Sequence, residues 1–277
     1  MIINKDLVDN ILRSDGRNNF DHRKIYAKTD IINAAKGSAY LEQGKTKIIC
    51  SVFGPREASS SFTSSNITIK KKGQSIIKTN KGNLLCKVNL APFSSKDWNH
   101  QNLSKEELIE KLESSNKYYS HCLMEALEPT INLLQYPKSQ IEICALILED
   151  NGSLLSALIN CASLAIITSG IEVFDVLSAC TLITYEAELK KHKIFILDPT
   201  KDEEIYFKKT DKIISNSITI GYLPALNQIT CLFQEGETQV NRYIENFLLA
   251  IKACEKIYDH LREILKSWAL LKPQISY

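Results

Sequence analysis

The sequence predicts an α+β fold: several strands, a helix, a strand, a core helix, further strands and a long closing helix. Three observations carry this. Short runs rich in β-branched and apolar residues, punctuated by Gly, Pro and Asn, recur between residues 24 and 90. A continuous apolar strand at Gln140–Leu148 is followed at once by a nearly all-apolar stretch, Leu154–Ile167. The chain closes on Val240, Ile244, Phe247, Ile251, Cys254, Ile257, Leu261 and Ile264, spaced by three and four residues with charges between them. With 277 residues the chain can bury a large core, as one long domain or two packed halves. No repeat in the sequence relates the halves.

In chain order, residues 1–20 read as a short helical arm through Leu7, Val8, Ile11 and Leu12, ending at Ser14-Asp15-Gly16-Arg17. Strands are expected at 24–32, 38–43 and 46–53, the last two joined at Gly44-Lys45 and stopped by Gly54-Pro55. Residues 56–82 are Ser-, Asn- and Lys-rich, with weak strand signals at Ile67–Lys71 and Ser75–Lys78. A strand follows at 83–90, closed by Pro92-Phe93. Ser104 and Glu107 make a capping box. The helix they open reads as running to Leu134 with a break near Ser114-Ser115, its apolar stripe set by Leu123, Leu127 and Ile131. Gln140–Leu148 reads as a strand buried on both faces and Leu154–Ile167 as a core helix. Strands at 173–185, 193–197, 217–223 and 227–234 precede a helix over 238–267.

Apolar residues make up 44% of the chain, charged residues 24%, and the formal charge is +2. This excludes a globally basic protein, so any nucleic-acid contact must come from a local patch. The eight cysteines are at least 17 residues apart, which excludes a CxxC pair or zinc knuckle and fits buried, reduced thiols. The start of the chain has early acids and no long apolar run, so no signal peptide or presequence is expected; nor is a membrane span.

Residues 37–57, GSAYLEQGKTKIICSVFGPRE, resemble the hairpin of the RNase PH family, in which GSA-x-x-E-x-G-x-T-K and GPRE recur. The resemblance extends through KGNLLCKVNLAPFS (81–94), EALEPTINLLQYPKSQIEICALILEDNGS (125–153), SLAIITSGIEVFD (163–175), LDPTKDEE (197–204) and LPALNQITCLF (223–233). AKGSAYLE, LEDNGS, ILDPTKDEE and LPALNQI are most similar to a ring subunit of the eukaryotic RNA exosome. The resemblance implies an RNase PH-like fold of two packed βαβα-type halves (ribosomal protein S5 domain 2-like). On this chain that gives an arm at 1–21 and halves at 22–152 and 153–271. It also implies that six such units form a ring around an RNA channel.

Active members of the family degrade RNA with inorganic phosphate, which requires an anion cradle and an acid near the leaving oxygen. A helix N-terminus with a hydroxyl and a guanidinium suits the cradle, and active members carry Gly-Thr-Arg or Gly-Ser-Arg there. This chain reads Gly152-Ser153-Leu154, and an apolar side chain cannot stabilise a charged transition state. Ser153 reads as the N-cap of the following helix. Active members place an Asp seven residues before the proline that matches Pro224; here that position is Ser217, which cannot act as a general acid near neutral pH. Glu204 matches a second acidic position of the family. The implied protein has no catalytic residues: a degenerate phosphate site at Gly152, Ser153 and Leu154, and a degenerate acid site at Glu204 and Ser217. The alternative is an active phosphate-dependent 3′-5′ exoribonuclease in which Asp211 or Glu204 serves as the acid.

Asp198, Asp202, Glu203 and Glu204 share a stretch with Lys201, Lys208 and Lys209, which reads as a solvated polar turn, not a metal site. The five histidines are scattered and no Gly-rich phosphate loop occurs, so neither metal nor cofactor is expected. Arg56, Lys70, Lys71, Lys72, Lys78 and Lys81 face the single acid Glu57 across residues 56–82. That patch fits sequence-independent contact with RNA phosphates, assigned here to Arg56, Lys70, Lys71 and Lys72. It fits equally an exposed hairpin kept soluble by its lysines. Arg56 also suits a structural pairing across a subunit contact. The partners that the resemblance implies are an adjacent RNase PH-like subunit of the Rrp forty-two type, the other ring subunits, an S1-domain cap protein and RNA. The settings implied are nucleus, nucleolus and cytoplasm, and the roles rRNA processing and mRNA decay.

Overall fold

The computed structural model describes residues 13, 15–57, 81–94, 105–187, 193–208, 213–236 and 240–271. The first sheet contains β1 (Ile25–Thr29), β2 (Gly37–Gln43), β3 (Thr46–Glu57), β4 (Asn83–Leu90) and β5 (Ser139–Glu149) in the order β1-β2-β3-β5-β4. Its pairs are antiparallel except β4–β5, which is parallel. The second contains β6 (Ser178–Ala187), β7 (Lys193–Leu197), β8 (Ile213–Leu223) and β9 (Gln228–Gly236), all antiparallel, in the order β7-β6-β8-β9. The helices are α1 (Lys105–Leu127), α2 (Leu154–Thr168), α3 (Lys201–Lys208) and α4 (Val240–Leu271).

Helix α2 packs on β2 and β3 of the first sheet and on β6 and β8 of the second. All of its residues except Ile167 are buried, as a helix apolar on every side requires. One continuous core therefore runs from Leu41, Ile48 and Ile143 through Leu158 and Leu164 to Leu182, Ile220 and Leu261. The hairpin β2–β3 grips both ends of α2. A Cβ on Gly37 would lie 2.4 Å from Ala165 O and Ser169 N at the C-terminal end of the helix, so only glycine fits there. At the other end, the Thr46 hydroxyl donates to Gly152 O at 3.0 Å and accepts from Asn151 N–H at 3.2 Å.

Several expectations are refined. Helix α1 runs unbroken through Ser114-Ser115, because the Ser114 hydroxyl finds an intrahelical acceptor in Lys111 O. The helix stops at Leu127, just ahead of Pro129, and residues 133–135 form a separate 3-10 turn. The strand expected from 173 begins at Ser178, Val173 making only an isolated bridge to Ile131. Over Gln140–Leu148, strand β5 is buried as expected except at Cys144 and Leu148, which are half-buried, and at Leu146, which is 41% exposed. The residues α4 buries are Asn246, Ala250, Ala253, Cys254, Ile257 and Leu261, whereas Ile244 of its amphipathic pattern faces outward, as does Leu248. All eight cysteines are unpaired, and seven are buried. Among the described residues, no helix is long and apolar enough to cross a membrane. The arm at 1–12, the Ser104 cap and the strand signals at 67–71 and 75–78 lie outside the described residues.

Candidate functional site

A cavity of about 420 Å³ opens where α2 begins. Its floor is one face of the second sheet. Thr181 and Ile183 on β6 lie opposite Thr219 and Ser217 on β8, which lie opposite Phe233 and Glu235 on β9. Its walls are Ser153–Leu155 from α2, Lys201 and Glu204 from α3, and Tyr118 and Tyr119 from α1. The structure thus brings Ser153, Leu154, Glu204 and Ser217 together, four residues drawn from three separate parts of the sequence.

The loop before α2 is held in an unusual backbone conformation. Gly152 has φ +90°, and Ser153 follows with φ +48°. At Gly152 a Cβ would sit 2.5 Å from Pro199 O, so the loop lies directly on the start of α3. Arg23 fixes this arrangement: it donates to Asn151 O at 2.8 Å and Gly152 O at 2.9 Å, and pairs with Asp198 at 2.6 Å. The Asp198 carboxylate also accepts the Arg23 backbone N–H at 2.8 Å. Burial alone would raise the Asp198 pKa; the Arg23 guanidinium overrides it and holds the carboxyl at about 2. Arg13 bonds Glu203 at 2.9–3.0 Å and the carbonyls of Leu197 and Asp198 at 2.9–3.0 Å.

The stretch after Asp198 is therefore no solvated turn. It is α3, whose first-turn acids each take a protein partner or face solvent. Asp198 is 1% exposed and paired, Glu203 accepts from Arg13 and from the Thr200 N–H, and Asp202 is exposed. Among the described residues no three His, Cys, Asp or Glu side chains converge as a metal site would require.

The Ser153 hydroxyl does not cap α2. It donates to Pro199 O at 3.1 Å, because the left-handed backbone at Ser153 aims its side chain at α3 and away from the helix amides. The group at the helix N-terminus is Glu204: its Oε1 accepts the Ser153 N–H at 2.8 Å. A carboxylate thus borders the electropositive end of α2. Leu154 is 6% exposed and adds no charge. Lys201 is the basic side chain on the cavity wall; its ammonium sits 2.7 Å from Asp150 and 3.9 Å from Glu204.

Sequence reasoning missed Glu235. It stands directly opposite Ser217 in the β8–β9 register, so a carboxylate borders Ser217. Directly opposed side chains lie about 5 Å apart at Cβ. Only the strand register, which the sequence does not state, could have found it.

Arg56 is at the far end of the first sheet. It pairs with Gln140 in the β3–β5 register, while the cavity begins beyond the other end of β5, about 30 Å of strand away. Its guanidinium forms an ion pair with Glu142 of the same chain, which also binds Lys87 at 2.6 Å. Lys70, Lys71, Lys72 and Asp211 lie outside the described residues.

In comparison with known proteins, residues 21–172 match the RNase PH model, described as the 3′ exoribonuclease family, domain 1. Exosome complex component MTR3 of Homo sapiens is 32% identical over 244 residues, covering 88% of this chain and 82% of that protein. Rice (Oryza sativa) Rrp46 superposes with a TM-score of 0.65 at 20% identity, covering 90% of this chain and 98% of that one. A chain of an archaeal exosome core gives 0.63 at 15% identity, covering 90% of each. These two share the fold. With the family model spanning more than half of the sequence and the human relative most of it, the chain belongs to the RNase PH family.

Proposed function

We propose that this protein is a non-catalytic ring subunit of the RNA exosome that scaffolds the RNA channel for 3′-5′ processing and decay. The observation that carries this reading is the Glu204 carboxylate on the Ser153 N–H beside Leu154. The Ser153 N–H at the start of α2 donates to a protein carboxylate, and the guanidinium of active members is absent from the motif. The ring role draws on the exosome components among the relatives and on an apolar surface suited to a partner. That surface includes Ile229 and Leu232 on β9, at the edge of its sheet, and Ile244 and Leu248 on α4. The proposed neighbours are other RNase PH-like subunits, among them one of the Rrp forty-two type, and an S1-domain cap protein. Auxiliary RNA contact falls to Arg56, Lys70, Lys71 and Lys72, in nucleus, nucleolus and cytoplasm. We take 22–152 and 153–271 as the two halves, behind an arm at 1–21.

The rival reading, an active phosphorolytic exoribonuclease, gains from Glu235, which returns a carboxylate to the neighbourhood of Ser217. It still lacks a cationic cradle. Labelled RNA and inorganic phosphate, incubated with the chain alone and with its ring partners, separate the two. The proposal expects no phosphate-dependent release of nucleoside diphosphates traceable to this chain. Release abolished by Glu204→Ala, Glu235→Ala or Asp211→Ala would establish the rival.

A further inference from the structure

Polar side chains collect where the start of α4 crosses the second sheet. Thr184 on β6 and Asn216 on β8 are directly opposed, so their Cβ atoms lie about 5 Å apart on one face. It is the face away from the cavity, because the cavity residues Ile183 and Ser217 are their chain neighbours and point the other way. Helix α4 packs on β6 and β8, and its Cys254 Sγ lies 3.7 Å from Ile220 O. Asn246 belongs to the same buried stripe of the helix as Ala250 and Cys254, so it too is turned to the sheet. The Tyr258 hydroxyl donates to Asp175 Oδ1 at 3.3 Å, and Asp175 also accepts the Ala225 N–H at 2.8 Å, just past the end of β8. The helix therefore runs in the direction of β8. Counting back from the Cys254–Ile220 contact, eight helical residues span about 12 Å and four strand residues about 13 Å, which sets Asn246 level with Asn216.

All three side chains are buried: Asn246 is 0%, Asn216 2% and Thr184 7% exposed. Among the described residues, neither amide atom of Asn216 or Asn246 nor the Thr184 hydroxyl has a hydrogen-bond partner. Buried polar atoms in folded proteins are paired, with protein or with ordered water. These three do not pair with one another, although the register and the helix bring them together. Asn160 gives the contrast. It is equally buried, but its amide donates to Ala179 O at 3.0 Å and accepts the Ala179 N–H at 2.7 Å.

We propose that Thr184, Asn216 and Asn246 enclose a buried water site that joins α4 to β6 and β8. Two amides and a hydroxyl supply donors and acceptors without charge, the chemistry that suits water. A buried water makes about three hydrogen bonds, so five polar atoms call for about two waters. The site lies on the opposite face of the sheet from the cavity and does not depend on the catalytic reading.

The test is cross-relaxation between water and side-chain amide protons in the isotope-labelled full-length chain. The Asn216 and Asn246 amides should show cross-peaks to water with the sign of a long-lived bound molecule, and the Asn160 amide should show none. Thr184→Val removes the one hydroxyl of the site that could relay such a signal from solvent, and both cross-peaks should persist in it, held by the four remaining amide atoms. Absence of water cross-peaks at Asn216 and Asn246 would overturn the proposal. So would an equal cross-peak at Asn160, which would mean general solvent penetration, or loss of both peaks in Thr184→Val, which would assign them to the hydroxyl.

Discussion

Asp198 ties together three stretches that meet at the site. Its carboxylate is buried against Arg23, and Arg23 in turn holds the carbonyls of the Gly152 loop. Removing one partner of a buried pair strands the other charge, so Asp198→Asn should cost about 3–5 kcal/mol in urea unfolding. The pH dependence follows from the same group. Its pKa is about 2 when folded against 3.8 unfolded, so its contribution is complete above pH 4. It is lost as pH falls through 4 towards 2, and the linkage is worth about 2 kcal/mol. His22, beside it, acts at higher pH. Burial holds its pKa below 6.5 despite the nearby Asp198 charge, so the unfolded chain takes up the proton first. Stability should therefore decline already as pH drops below 6.5, and His22→Gln should flatten that first decline in thermal melts from pH 7 to 5. None of these links was legible in the sequence: Arg23 and Asp198 are 175 residues apart. Likewise Glu204 reads as one acid among four until α3 forms and turns it onto the Ser153 N–H.

Helix α2 is the element on which the architecture turns. Its composition makes it plainly a core helix, and its bounds match the expected 154–167 to within a residue. The conspicuous hairpin at 37–57 gains a physical role from it. Gly37 admits the C-terminal turn of α2 and Thr46 pins the loop before its first turn. Gly37→Ala should cost about 1–3 kcal/mol or more by overpacking against backbone. Leu158→Ala, at the fully buried centre, should cost about 2–5 kcal/mol. Because α2 contacts both sheets, hydrogen exchange in Leu158→Ala should accelerate in β2 and β6 together; acceleration confined to one sheet would refute a shared core. Helix α3 was not legible, since KDEEIYFK carries too little apolar pattern to signal a helix. It forms because Arg13, the Thr200 N–H and Ser153 anchor its acids.

At the scale of the whole molecule, the fold leaves exposed apolar side chains on β9 and α4 and a cavity where α2 begins. The family was legible because several segments in order carry its wording. The readings at Leu154 and Ser217 rest on the same wording. The Glu204 carboxylate on the Ser153 N–H and the Glu235 carboxylate opposite Ser217 needed three-dimensional register. A subunit with the proposed ring role should be found only in company. The most direct measurement is the intact mass of the complex that co-purifies with the tagged full-length chain. The account predicts a stoichiometric six-membered ring of RNase PH-like subunits containing one copy of this chain. A free monomer, or a ring built from this chain alone, would contradict it.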